Sequence, residues 1–321
     1  MRVASGARTQ RGKPMAVEAQ VRSEAAAPSR PRLESWLEIA RDYVALLKPR
    51  IILLLVVTEL SAMIVAARGW PSPGVLIGAL IGGSMAAGGA GAVNCWFDRD
   101  IDQLMPRTRR RAIAAGRISP AAGLAFGIVV GLGGVALIDA TSNRLAAALA
   151  LAGGLVYVFV YTMWLKRSTA QNIVIGGAAG AFPPLVGWAA VTGSLSPLAW
   201  ALFAIIFFWT PPHFWALALL LSRQYSAAKV PMLPVVAGEA RTRVSILAYT
   251  ILMLAISALP ILWLGPVYAV ACIALGAVFL WLAGRASRRR DGGSAMALFH
   301  YSLAYLALLF VAAAGAAALP L

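Results

Sequence analysis

Residues 74–111 read GVLIGALIGGSMAAGGAGAVNCWFDRDIDQLMPRTRRR, and the change of character inside this stretch decides the fold. From Gly74 to Cys95 there is no charged side chain. At about 1.5 Å per residue, a helix of that length crosses the roughly 30 Å hydrocarbon layer of a bilayer. Three aspartates and five arginines then come between Trp96 and Arg111. An apolar run that stops abruptly in dense charge is a membrane helix meeting water. Backbone amides cannot stay unpaired in lipid, so such a run is helical.

Working outward, eight more apolar runs lie near 51–67, 120–139, 145–165, 172–191, 197–221, 244–264, 266–284 and 296–319. The composition agrees: 60% of the 321 residues are hydrophobic and 12% charged, with mean hydropathy +0.79. Ordinary soluble chains are about a quarter charged. The expected fold is therefore all-α, a polytopic membrane helical bundle of about nine transmembrane helices, within one domain over 34–321. Residues 1–33 are polar, rich in Ala, Arg and Pro, and read as a disordered tail. They lack the apolar core of a signal peptide, and Glu18 and Glu24 argue against a transit peptide. Between Glu34 and Lys48, the residues Trp36, Ile39, Tyr43, Leu46 and Leu47 recur at helical spacing, which predicts an interfacial helix before the first span.

Charge sets the orientation. Net charge is +16, from 28 Lys and Arg against 12 Asp and Glu. With nine spans, 26 of those 28 cations fall on one side, leaving Arg68 and Arg144 on the other. The positive-inside rule then predicts a cytoplasmic N-terminus. The same distribution removes nucleic acid as a partner, because the cations belong to short loops between spans. The two cysteines, Cys95 and Cys272, match neither a disulfide framework nor a zinc spacing. Gly78 and Gly82, Gly127 and Gly131, and Gly176 and Gly180 stand at helix-packing spacing.

The chemistry concentrates where the second span ends. Asn94, Asp98 and Asp102 stand at i, i+4 and i+8 and share one helical stripe, while Asp100 points elsewhere. Two carboxylates and an amide are hard oxygen donors suited to Mg²⁺. These three are the candidate catalytic and metal-ligating residues. Arg107, Thr108, Arg109, Arg110 and Arg111 come at once after them. Metal plus guanidinium forks is what a diphosphate requires. Topology alone explains some of the arginines but not the carboxylates beside them. The loop after the fourth span adds Lys166 and Arg167, and that after the sixth adds Arg223, Gln224, Tyr225 and Lys229. Inside the sixth span, Pro211 and Pro212 precede His213. Two readings of His213 stay open: a partner for a carbonyl freed by the prolines, or an intramembrane functional group. His300 reads as a packed core histidine. Glu59, within the first span, has no partner visible in the sequence.

These motifs resemble the protohaem IX farnesyltransferase (haem O synthase) branch of the UbiA-type intramembrane prenyltransferases. The resemblance rests on Leu47-Lys48-Pro49-Arg50, on Asn94 through Asp102 with Met105, Arg107-Thr108-Arg109 and Arg111, on Tyr161-Thr162 with Leu165-Lys166-Arg167, on Asn172-Ile173, on Pro183-Pro184 with Gly187-Trp188, on Trp209 through Trp215, and on Val230 through Pro234. It implies nine helices, with farnesyl diphosphate and haem B as substrates and haem O as product, made for haem–copper oxidases. By motif it implies that Asn94, Asp98 and Asp102 hold Mg²⁺, that Arg107, Arg111, Lys166 and Arg167 bind diphosphate oxygens, and that His213 sits near or on the haem. It further implies haem A synthase or oxidase assembly factors as protein partners. Two positions depart from the family pattern. Gln224 replaces an acidic residue, which puts a second metal in doubt, and Ala112 replaces a proline.

Two other functions fit parts of this pattern. A UbiA-type enzyme acting on an aromatic quinone precursor shares the carboxylates, but the His213 segment and the Arg-Thr-Arg run argue against it. A transporter shares the kinked helices and intramembrane ionisable residues, yet transport sites sit near the bilayer midplane. Short loops and the absence of a presequence favour the inner membrane of a bacterial cell over that of a mitochondrion.

Overall fold

Proline opens span after span. Pro49, Pro73, Pro120 and Pro197 stand in the first helical turn, where the missing N–H has no intrahelical partner to lose and the fixed φ already suits a helix. Ser119, Asn143 and Ser196 cap three of the helices, accepting from the N–H of Ala122 (3.2 Å), Ala146 (3.0 Å) and Ala199 (3.2 Å).

The computed structural model describes residues 32–289 and 291–319. The tail read as disordered lies outside the described residues except for Arg32 and Leu33, which already belong to helix α1 (Arg32–Leu46). The chain divides after Arg41 into two units, Met1–Arg41 and Asp42–Leu321. The first contributes the opening turns of α1. Among the described residues, the second holds every helix long and apolar enough to cross a membrane.

Among the described residues, nine helices are long and apolar enough to cross a membrane: α2 (Pro49–Ala67), α3 (Pro73–Phe97), α4 (Pro120–Thr141), α5 (Arg144–Ser168), α6 (Asn172–Thr192), α7 (Pro197–Leu220), α8 (Gly238–Ser257), α9 (Ile261–Arg289) and α10 (Gly292–Ala318). The heaviest packing joins α3 to α4, α2 to α6, α9 to α10 and α7 to α8. Leu132, Leu262, Val270, Ile273 and Leu308 point outward, which in lipid costs nothing.

The structure corrects or refines four sequence expectations. The seventh span ends at Ser257, not near residue 264. Residues 261–264 form a separate turn, and the chain breaks at Gly265 (φ 71°, ψ −160°). Pro266 disfavours helix at the residue before it, and only glycine takes that left-handed conformation without strain. His300 is exposed on the flank of α10 rather than packed in the core. The tightest backbone crossing uses Gly82, Gly89, Gly127 and Gly134, whereas Gly176 meets the Tyr161 ring and Gly180 faces open space. Glu59 is buried between α2, α3 and α6, with Oε1 unpaired. It fits because Gly83 has no side chain: a Cβ there would lie 2.5 Å from Glu59 Oε2.

Candidate active site

The stripe survives the end of α3. Asp98 (φ −84°, ψ 6°) joins α3 to a short helix, Arg99–Leu104. The bonds Asp98 N–H to Asn94 O (2.9 Å) and Asp102 N–H to Asp98 O (2.8 Å) carry the helical repeat across the junction. Asn94, Asp98 and Asp102 therefore stay aligned and are all buried, Asp98 completely. The Asp100 side chain is 62% exposed, on the other side of the turn.

Each aspartate has its own cation. Lys166, at the end of α5, donates to Asp98 Oδ2. Arg111 Nη1 donates to both oxygens of Asp102, at 2.9 and 2.8 Å. Arg167 forks onto Asp100 at 2.8 and 2.7 Å and stands 3.6 Å from Asp98 Oδ1. The Arg167 guanidinium holds the Asp100 carboxyl below the usual carboxylate range against the opposing effect of partial burial. Arg117 does the same for Asp42, 75 positions away, at 2.7 and 2.8 Å. Arg107 reaches the Tyr225 hydroxyl, and burial pushes that phenol's pKa up. Tyr225 packs with Ile101, Met105, Ile173, Val230 and Met232. The segments after α3 and α7 thereby pack together with the start of α6.

Lys48 also belongs to the site. It sits in the left-handed region between α1 and α2 (φ 58°). Its Nζ donates to Asn94 Oδ1 (2.6 Å) and the Tyr157 hydroxyl (3.1 Å). Asn94 Nδ2 in turn donates to Asp98 Oδ2 (2.8 Å) and Thr162 Oγ1 (3.1 Å). Thr162 lies in a π-helical stretch of α5, Val156–Leu165, and donates to Tyr157 O five residues back (2.8 Å). The wider turn brings Tyr157, Thr162 and Lys166 together at the carboxylates, a use of π-helix common at functional sites. In the sequence Lys48 belongs to the Leu47-Lys48-Pro49-Arg50 stretch of the resemblance, but nothing there gives it a role at the carboxylates. Neither Tyr157 nor the π-helix had a signal there.

The donor set fits a hard divalent cation. Asp98 Oδ1 is buried and accepts no hydrogen bond, which leaves an aspartate oxygen available inside the cluster. Among the described residues no three His, Cys, Asp or Glu side chains converge. A Mg²⁺ ion would thus draw on Asp98 and Asp102, with the Asn94 carbonyl if Lys48 yields it. Phosphate oxygens and water would complete its shell. Gln224, where the family pattern has an acidic residue, is partly buried with Oε1 unpaired.

His213 is placed separately, in the interior of α7. Its Nδ1 lies 2.6 Å from Ser302 Oγ of α10. Trp209 and Phe299 stack on its two faces, at centroid distances of 4.3 and 4.8 Å. It therefore does not bond a carbonyl freed by the prolines. Phe214, the next residue, packs against the cluster that holds Tyr225 and Ile101, which links the histidine's helix to the charged end.

Comparison with known proteins agrees with this architecture. The profile of the UbiA prenyltransferase family matches residues 55–318. A protoheme IX farnesyltransferase of Chloroflexus aurantiacus is 50% identical over 283 residues, which is 87% of this chain and 48% of that protein. The chain spans about half the length of the first curated relatives it matches. The protoheme IX farnesyltransferase of Gloeobacter violaceus, 50% identical over 288 residues, is matched over 92% of its length. Among solved structures, a UbiA homolog from Archaeoglobus fulgidus bound to GPP and Mg²⁺ superposes with TM-score 0.65 at 16% identity, over 84% of this chain and 99% of that one, and so shares the fold. A profile match over most of the chain, half-identical relatives and a common helical frame lead to one conclusion: the chain belongs to the UbiA prenyltransferase family.

Proposed function

We propose that this protein transfers the farnesyl group of farnesyl diphosphate to a vinyl group of haem B, releasing diphosphate and giving haem O. The observation that carries this reading is the pairing of two features. A buried carboxylate stripe ringed by cations stands at the end of α3. A histidine with one committed nitrogen stands in α7. The first suits a metal-bound diphosphate, and the second suits an iron porphyrin. Relatives about half identical to the chain carry the name protoheme IX farnesyltransferase, and the Archaeoglobus fulgidus homolog holds a prenyl diphosphate with Mg²⁺.

In this mechanism Asn94, Asp98 and Asp102 would hold Mg²⁺, which would supply positive charge to the leaving diphosphate. Arg107, Arg111, Lys166 and Arg167 take the remaining phosphate charge, and Lys48 joins them. Such preorganised charge is most effective where negative charge develops. The bond between the allylic carbon and the diphosphate oxygen breaks, and its electron pair leaves with diphosphate. The vinyl π electrons form the new carbon–carbon bond. Water adds to the resulting cation and loses a proton, leaving a hydroxyl group.

Mass spectrometry of haem extracted from membranes containing the full chain, haem B, farnesyl diphosphate and Mg²⁺ tests the reaction. A haem carrying a hydroxyethylfarnesyl group is expected, and EDTA should abolish it. Diphosphate release only with an aromatic acceptor would move the chain to the quinone branch of the family.

The bacterial relatives favour a bacterial cell membrane, with the charged face in the cytoplasm by the positive-inside rule. A cysteine placed at the exposed Arg109 should then resist a membrane-impermeant thiol reagent in intact cells. Labelling there would reverse the topology. Haem A synthase and oxidase assembly factors fit the reading as protein partners.

A further inference from the structure

We infer that Ser302 is the positioning residue for His213: it fixes the imidazole tautomer so that Nε2 presents a lone pair to the haem iron. This rests on the proposed haem-binding role of the chain. One proton decides the tautomer. The Ser302 hydroxyl lies 2.6 Å from the backbone carbonyl of Phe299, one turn earlier on α10, and donates to it. A hydroxyl has a single hydrogen, and here it is used. At 2.6 Å from the same oxygen, His213 Nδ1 must therefore be the donor. A neutral imidazole carries one N–H, so with Nδ1 protonated the lone pair lies on Nε2.

The surroundings restrict how that lone pair is approached. Trp209 lies 15° from parallel with the imidazole on one face, and Phe299 lies 23° from parallel on the other. Phe214 meets it edge-on at 5.2 Å. Both ring faces are covered and Nδ1 is committed, so a ligand reaches His213 only along the ring plane at Nε2. A metal–imidazole bond requires this direction of approach, since the nitrogen lone pair lies in the plane of the ring. Trp209 Nε1 donates to the Ser302 carbonyl at 2.8 Å, so serine, histidine and stacking indole are held as one unit across α7 and α10. Metal-ligating histidines characteristically donate their other N–H to a fixed acceptor, which sets tautomer and orientation.

Haem B titration of the purified full chain, followed by Soret absorption and by resonance Raman of the iron–histidine stretch, tests this. Ser302→Ala should weaken haem binding by roughly 10- to 100-fold and shift or erase the iron–histidine signal. It should leave the KM for farnesyl diphosphate unchanged, which a general loss of structure would not. Ser302→Thr keeps the hydroxyl and should restore binding and spectrum. Wild-type affinity and spectrum in Ser302→Ala, with both lost in His213→Ala, would overturn the role of Ser302 and keep His213 as the ligand. An unchanged titration in His213→Ala would overturn the haem-ligand reading and this inference with it.

Discussion

Asp98→Asn should lower turnover by on the order of 10²–10³-fold, the cost of losing one preorganised charge at a developing anion. The substitution preserves shape and removes charge. Asp98 has no exposure, accepts from Lys166 and Asn94, and keeps Oδ1 free of any hydrogen bond. With asparagine there, the Lys166 ammonium, whose side chain is 15% exposed, loses its counter-charge. Breaking one side of a buried pair costs about 3–5 kcal/mol when the remaining charge is well buried, so the melting temperature must be followed beside the rate. The distinguishing readout is metal dependence. Raising Mg²⁺ should not rescue the variant, whereas a purely structural defect would lower the yield of folded protein and leave the Mg²⁺ response of the folded fraction unchanged. Near-normal turnover would remove Asp98 from the metal site.

Gly89→Val should be the most damaging single change away from the charged cluster. A Cβ at Gly89 would fall 2.5 Å from Gly127 O and from Gly131 Cα, and closer still to Gly131 N. All three atoms are backbone, so no rotamer change relieves the clash, and α3 must move away from α4. The cost should reach the upper end of the overpacking range, about 3 kcal/mol or more, lowering the melting temperature by roughly 5 °C. Gly89 stands five residues before Asn94, so the displacement carries into the carboxylate stripe, and the folded fraction should lose turnover as well. Gly180→Ala serves as the control, since a Cβ there meets nothing within 4 Å. A Gly89→Val protein that melts like the control would disprove the close α3–α4 crossing.

The site was legible where its geometry is local. Asn94, Asp98 and Asp102 share a stripe because helical periodicity places them there, and the bonds across Asp98 preserve that periodicity. The outward position of Asp100 comes from the same rule. Partnership was not legible. The resemblance implies Arg111, Lys166 and Arg167 as diphosphate ligands, and nothing in it says that each pairs with a particular aspartate in this structure. Lys48 stands in a stretch that carries the resemblance, but it has no assigned role until its Nζ is placed on Asn94. Ser302 is one of many serines in the sequence, and its importance depends on Nδ1 of a residue 89 positions away. The glycine spacings pointed to close packing but chose the wrong third pair, because i, i+4 spacing says that a helix face is small without saying which helix it meets.

The sequence by itself determined the membrane-spanning helices, most of their limits and the carboxylate stripe. In lipid every backbone group must be satisfied within its own segment, so an apolar run of sufficient length has one available structure whatever its neighbours do. Tertiary structure alone decided the π-helical turn that gathers Tyr157, Thr162 and Lys166, the assignment of each cation to its aspartate, and the protonated nitrogen of His213. Those depend on side chains brought within 3.1 Å of each other from segments as many as 109 residues apart, a proximity set by how whole helices pack and absent from any local pattern of residues.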